Sequence, residues 1–273
     1  MYNLVLGTGM GFPIPSSEQI KIMHNVGWEG AFVSCSPDHP PEQSAKALYE
    51  CGMKFQSTHA PFNRVDRLWE EGDEGDDFTN VLIKCVENTA AVGVPLMIVH
   101  TIIGMEKCTP TEIGLPRFEK IVLAGEKHGV KIAFENTEGE EYLEYLLKHF
   151  ASSDYAGFCI DTGHEMCYNA KRDLITKYAS KLCCTHLNDN MGQTGEKITW
   201  YDDSHMLPFD GVADWEGIAA RLKAAGYKSD LTFELNSKNK PERDTHRIYA
   251  GLDFEQYISL AFERAKKFKE LML

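Results

Sequence analysis

Short apolar runs alternate with amphipathic segments eight times along the chain. The runs fall at residues 3–6, 30–34, 55–59, 96–100, 131–135, 157–161, 182–187 and 231–235. Stretches with helical spacing follow them, at residues 17–26, 41–52, 78–92, 116–128, 140–149, 172–180, 215–225 and 253–271. Local punctuation agrees with these limits. Ser17 stands at a helix start with Gly27 past its end, and the second helix opens at Pro41 and closes at Gly52, the asymmetry expected of helix termini. Strands so continuously apolar are covered on both faces, as in a parallel sheet wrapped by helices. Eight such units in 273 residues predict an α/β fold, a single (β/α)8 TIM barrel over residues 1–273. A doubly wound open sheet would call for a glycine-rich phosphate loop after its first strand. The turn there, residues 7–11, lacks the third spaced glycine and runs into Pro13 and Pro15, so it reads as a plain turn. Three long connections, residues 60–77, 101–115 and 188–213, are predicted as loops.

The C-terminal ends of six consecutive strands carry an ionisable residue among apolar neighbours: His59, His100, Glu135, Asp161, His186 and Glu234. His164 follows Asp161 in GFCIDTGHEM, and the loop after the seventh strand adds Asp203 and His205. In a barrel these ends converge on one mouth, the face where barrel active sites lie. One ionisable group at a strand end is commonly a satisfied core residue. Six at one mouth are costly to bury without partners. Carboxylate oxygen with imidazole nitrogen suits a divalent cation such as Mn, Fe, Co, Zn or Mg, so the pattern predicts a metal-centred site. Asp161 shows how much depends on the ensemble, because taken alone it reads as a helix cap beside a surface histidine.

Composition narrows the partners. Apolar residues make up 43% of the chain and charged residues 25%, enough for a sizeable core. The net charge of −13 repels phosphate backbones, and no basic patch interrupts it, which argues against a nucleic-acid partner. No run approaches the ~18 apolar residues of a membrane span, and the N-terminus lacks the charged segment and apolar core of a signal peptide. The eight cysteines (35, 51, 85, 108, 159, 167, 183 and 184) include no C-x-x-C and read as reduced core thiols. A cytoplasmic protein without a membrane partner is expected, with a homo-oligomer left open.

The strings at the strand ends resemble a known family. They are THAPF at His59, AFEN at Glu135, CIDTGH at Asp161 and His164, THLND at His186, HMLPFDGVADW at His205 and TFELN at Glu234. In this order they resemble the xylose-isomerase-like TIM-barrel superfamily over nearly the whole chain. That superfamily holds sugar-phosphate isomerases and epimerases, ketose 3-epimerases, hydroxypyruvate isomerase, inosose dehydratase and endonuclease IV. Resemblance to the epimerase-type members implies one divalent cation (Mn, Co, Zn or Mg), held by Glu135, Asp161, His186 and Glu234, and no organic cofactor. It implies that the two glutamates double as the catalytic acid/base pair and that His164 contacts the substrate. His59, His100 and His205 are expected to line the polar part of the same substrate pocket. Ketose 3-epimerases also use an arginine after the seventh strand. None occurs here between His186 and Arg221, which weakens that assignment and leaves Lys197 as the stand-in.

Resemblance to endonuclease IV implies instead three zinc ions and cleavage of abasic DNA. Its nine ligands map onto His59, His100, Glu135, Asp161, His164, His186, Asp203, His205 and Glu234. Against this branch stand the acidic charge, the APF after His59 and the lack of a clear Arg-plus-aromatic wedge, although Arg64, Arg67 and Trp69 lie close in sequence.

The expected chemistry is proton transfer at a carbon next to a carbonyl, through an enediolate. Glu135 taking a proton from one face and Glu234 returning one to the other epimerises the carbon. Return to the neighbouring carbon isomerises, and a leaving hydroxyl gives an inosose-type dehydration. Few basic residues lie near the strand ends, so the expected substrate is an unphosphorylated keto-sugar, polyol or inosose. Trp69, Trp200 and Tyr201 are expected to cover it from the long loops, with Glu138 and Asp189 orienting the ligands.

Overall fold

The structure is a computed structural model and describes residues 2–105 and 109–273. Its strands are β1 (Leu4–Gly7), β2 (Gly30–Ser34), β3 (Lys54–His59), β4 (Leu96–His100), β5 (Lys131–Glu135), β6 (Ala156–Asp161), β7 (Leu182–His186) and β8 (Leu231–Phe233). All pair in parallel, in the order β7-β6-β5-β4-β3-β2-β1-β8. A bridge between Leu187 and Phe233 joins the two ends, with Leu187 N donating to Thr232 O at 2.8 Å. The sheet is therefore closed into the expected barrel. Around it run α1 (Ser16–Val26), α2 (Glu42–Glu50), α3 (Asp73–Ala91), α4 (Gly114–His128), α5 (Glu140–His149), α6 (Thr162–Cys167), α7 (Leu174–Lys177), α8 (Trp215–Ala224) and α9 (Phe254–Met272).

The two-residue period of a strand builds the interior in layers. Ile98, Ala133, Cys159 and Cys184, on β4 to β7, form a small apolar cluster of their own. Two residues further along each strand stand His100, Glu135, Asp161 and His186. Register aligns them in pairs, His100 beside Glu135 and Asp161 beside His186. The residues between, Val99, Phe134 and Ile160, belong to the larger core that packs against the helices. An apolar plug thus supports a polar floor. The β1–β2 side has no ligand: Phe32 stacks on the His186 ring at 4.8 Å, in space where a Cβ on Gly7 would meet the ring at 2.5 Å.

Several local expectations are corrected. Helix α1 starts at Ser16 behind Pro15, and no side chain caps it, so Ser17 is not the cap. Residues 60–77 are not all loop: Val65–Trp69 forms a 3-10 turn, and α3 already begins at Asp73. The turn expected after Asp161 is the short helix α6. The seven described cysteines are free thiols, buried or half-buried; Cys108 lies outside the described residues. None of the described helices is long and apolar enough to cross a membrane.

Candidate functional site

The nine residues read from the strand ends and the β7–α8 loop meet at the C-terminal mouth of the barrel. At the centre, Glu135, Asp161, His186 and Glu234 each offer a ligand atom, all within 4.8 Å of one another. His186 Nδ1 lies 2.9 Å from Glu135 Oε1 and 3.0 Å from Glu234 Oε2. On one side, His59 Nε2 and His100 Nε2 approach Glu135 Oε2 at 3.2 and 3.3 Å. On the other, His164 Nε2 and His205 Nε2 approach Asp203 Oδ2 at 3.3 and 3.0 Å. The donors fall into three groups, and Glu135 is shared by two of them.

Hydrogen bonds fix how the imidazoles face. His59 Nδ1 donates to Ala60 O at 2.8 Å, His164 Nδ1 to Asn136 O at 2.8 Å, and His205 Nδ1 to Glu234 O at 3.0 Å. A carbonyl only accepts, so each Nδ1 carries a proton and Nε2 is the atom that faces the site. Metal-ligating histidines are held in this way. His205 does so from a left-handed backbone, φ 54°, a conformation few non-glycine residues adopt. Asp161 is held as firmly. Its Oδ1 caps α6 by accepting from His164 N at 2.7 Å, and its Oδ2 accepts from Asn188 Nδ2 at 2.8 Å. Asn136 brackets its backbone, donating to Asp161 O at 2.9 Å and accepting from Asp161 N at 2.7 Å. The cap reading of Asp161 is borne out, and the capping carboxylate also stands among the candidate donors. Asn136 and Asn188 stand within AFEN and THLND, next to Glu135 and two residues past His186, and adjacency was the only signal they offered.

The electrostatics follow from burying so many charges together. Burial pushes the Glu135 carboxyl up, but His186 and His100 outweigh it and hold Glu135 well below the usual range. Glu234, also pushed up by burial, is brought to about 2 by His186 and His205. Asp161 is the exception, lifted by burial to about 6 with only partial relief from His164. Burial disfavours charge on the imidazoles too, yet Asp203 and Glu234 raise His205 to about 9. Against the same penalty, Asp161 and Asp203 hold His164 well above its ordinary value, and Glu135 and Glu234 do so for His186. Protons are thus favoured between the carboxylates and His164, His186 and His205, whereas burial lowers His100 despite Glu135 beside it. A divalent cation would replace those protons with no change in the sign of charge, and the oxygen-plus-imidazole donor set fits one.

Above the donors lies a cavity of about 530 Å³. His59, His100, His164, Asp203, His205 and Glu234 form its polar floor, and Phe62, Ile103, Met105, Tyr168 and Trp200 its walls. Gly104, Thr137, Glu138 and Lys240 complete the lining. Glu135, Asp161 and His186 lie beneath, fully buried. Trp69 does not cover the pocket: it is buried against Phe118 and Tyr142, its Nε1 donating to Thr101 O at 2.8 Å. Arg67 pairs with Asp66, Glu70 and Glu74, and Arg64 lies over Phe78, so these residues form no wedge with Trp69. Tyr201 packs on Trp200 at 4.5 Å. Asp189 fastens the β7–α8 loop, accepting from Phe209 N, Ala213 N and Trp215 Nε1, rather than orienting a ligand. Lys197 is not part of the lining, whereas Lys240, which the strand-end pattern missed, is.

A profile of the xylose isomerase-like TIM barrel matches residues 38–254. The chain is 28% identical to an uncharacterised protein, y4fM, of Sinorhizobium fredii, over 82% of this chain and 81% of that one. It is also 28% identical to a probable endonuclease 4 of Cenarchaeum symbiosum, over 66% of this chain and 70% of that one. Among solved structures, a D-psicose 3-epimerase from Clostridium cellulolyticum, determined with D-tagatose, superposes with a TM-score of 0.72. The superposition covers 97% of this chain and 99% of that one at 14% identity, which is a likeness of fold.

Proposed function

The chain belongs to the xylose isomerase-like TIM-barrel family, and from that membership we propose that it is a divalent-metal-dependent sugar isomerase or epimerase. The observation that carries this reading is the cavity of about 530 Å³ closing over the donor groups. Its size is that of a small-molecule site, and its walls are aromatic and aliphatic above a hard-donor floor. Glu135, Asp161, His186 and Glu234 would hold the cation, which polarises the carbonyl next to the reacting carbon.

The chain's own residues do the rest. Glu234 lines the pocket, and its ionised carboxylate accepts the proton at Oε2 from the carbon beside the carbonyl. Glu135 is the second carboxylate. Its Oε2 lies against His59 and His100, both in the pocket floor, and the proton shared between Glu135 Oε2 and His59 Nε2 is delivered on that side, while the one taken by Glu234 leaves to solvent through the pocket. Return to the same carbon epimerises it, and return to its neighbour isomerises the sugar. The Nε2 atoms of His164 and His205 bind and orient substrate hydroxyls. Phe62, Met105 and Trp200 exclude water and present flat or apolar faces to the ring.

Glu234→Gln tests the scheme. With a panel of ketoses and inososes as substrates, the variant is expected to lose about 10²-fold to 10⁴-fold in turnover. Wild type is expected to incorporate solvent deuterium at the carbon beside the carbonyl. A folded variant with full activity would refute the two-glutamate scheme.

One observation favours a second reading. The nine donors divide into three groups, as a trinuclear zinc phosphodiesterase acting on abasic DNA would need, and one relative is a probable endonuclease 4. The net charge of −13 weighs against it. Zinc-dependent cleavage of an abasic duplex, with no isomerisation of any sugar, would select it.

A further inference from the structure

Lys240 sits on the loop between β8 and α9 and lines the pocket next to His205, Glu234 and Trp200. It also borders a smaller cavity of about 220 Å³, shared with His205 and Glu234 and walled by the loop after β1. Its ammonium lies 5.2 Å from the centre of the Trp200 ring. Among the described residues it forms no ion pair and donates no hydrogen bond, although the chain has 41 acidic residues to 28 basic ones. Its neighbour behaves differently: Arg243 reaches Asp202 Oδ1 at 3.4 Å and lies over Tyr201 at 5.7 Å. Arg243 therefore joins the β8–α9 loop to the β7–α8 loop by an ion pair, whereas Lys240 meets that loop only through the Trp200 face. An ammonium that keeps its hydrogen-bonding capacity, half-buried beside an aromatic face and over a donor floor, is placed to meet an incoming anion.

We propose that Lys240 determines specificity by binding an anionic group of the substrate, a phosphate or a carboxylate, while the Trp200 face carries the sugar ring. The inference rests on the sugar-transforming reading of the same site and names the substrate class within it. It also changes the expectation of an uncharged substrate, which counted basic residues only at the strand ends. The sugar's carbonyl end faces Glu234 and the histidines, and its charged end faces the β8–α9 loop.

Isothermal titration of the Mn-saturated protein with D-fructose, D-fructose 6-phosphate and D-glucuronate tests this. Wild type is expected to bind at least one anionic probe about tenfold or more tighter than D-fructose. Lys240→Ala is expected to remove that difference and leave D-fructose binding unchanged, and Lys240→Arg to keep most of it. The probe that loses affinity tells phosphate from carboxylate. Equal losses for neutral and anionic probes mark Lys240 as a loop clasp and overturn the proposal, as do unchanged anion affinity or no anion binding in the millimolar range. Lys240-dependent anion binding with no turnover of any sugar would sink the isomerase reading and leave this inference standing. Turnover of a neutral sugar with no Lys240-dependent anion binding does the reverse.

Discussion

His59, His164 and His205 each commit their Nδ1 proton to a backbone carbonyl, so each reaches the site through Nε2. That atom faces a carboxylate, and His205 is held at about 9 by Asp203 and Glu234 against the opposing effect of burial. A cation at the central group must displace the proton that Glu135 and Glu234 favour on His186, and the charge on His205 beside Glu234 opposes it too. Below pH 9 the imidazole is protonated, and each unit of acidification strengthens the competitor. Apparent affinity for Mn or Zn is therefore expected to climb as pH rises from 6 towards 9 and to level off above, with protons released on binding. Titration calorimetry at pH 7 in buffers of different ionisation enthalpy reads that release. A flat affinity profile over this range would mean that no imidazole of the site loses a proton when the ion binds. At this scale the sequence was legible where chemistry and strand period coincide, as at His100, Glu135, Asp161 and His186. It was silent on Asn136 and Asn188, whose partner Asp161 is more than 20 residues away in the chain, and on Lys240, which no strand end announces.

At the scale of elements, apolar period and helix punctuation located the eight strands, because a strand buried on both faces has few other ways to read. What escaped was set by distant contacts. The acidic stretch after Trp69 resembles a loop, yet Asp73, Glu74 and Asp76 form the first turn of α3, where negative charge is favoured by the helix dipole. The segment before it is organised by Arg117 of α4. That buried guanidinium donates to the carbonyls of Arg67, Leu68, Glu70 and Gly72 at 2.6 to 3.1 Å and pairs with Asp76 at 3.2 Å. It fills the space beside Gly75, where a Cβ would lie 2.2 Å from Nη1. Removing it leaves four carbonyls without their shared donor. Arg117→Ala is expected to destabilise the fold by on the order of 3 kcal/mol, read as a lower urea midpoint at unchanged m-value. Arg117→Lys is expected to recover little, since a single ammonium cannot reproduce the planar fork. A loss under about 0.5 kcal/mol for the alanine variant, the range of an ordinary surface change, would show that the segment holds itself.

For the whole molecule, closure matters most. The donors come from the ends of β3 to β8, from the start of α6 and from the β7–α8 loop, so an ion at the mouth would tie together strands that are far apart in sequence and meet only when the barrel is shut. Metal binding is then linked to global unfolding, because the unfolded chain has no such site. With free metal a hundred times above Kd, one ion adds about 2.7 kcal/mol, which for a chain of this size corresponds to a rise in Tm of about 5–10 °C. Thermal unfolding after chelation, repeated with added Mn, Co or Zn, measures the shift, and elemental analysis after gel filtration gives the stoichiometry. About one ion per chain agrees with the central group of Glu135, Asp161, His186 and Glu234 and with sugar chemistry. Three zinc ions would mean that the two flanking groups are also filled, and the phosphodiesterase reading would then take precedence. The absence of both a Tm shift and retained metal would sink the metal-dependent reading, because a site that joins the ends of β5 to β8 cannot bind tightly without stabilising the closed barrel.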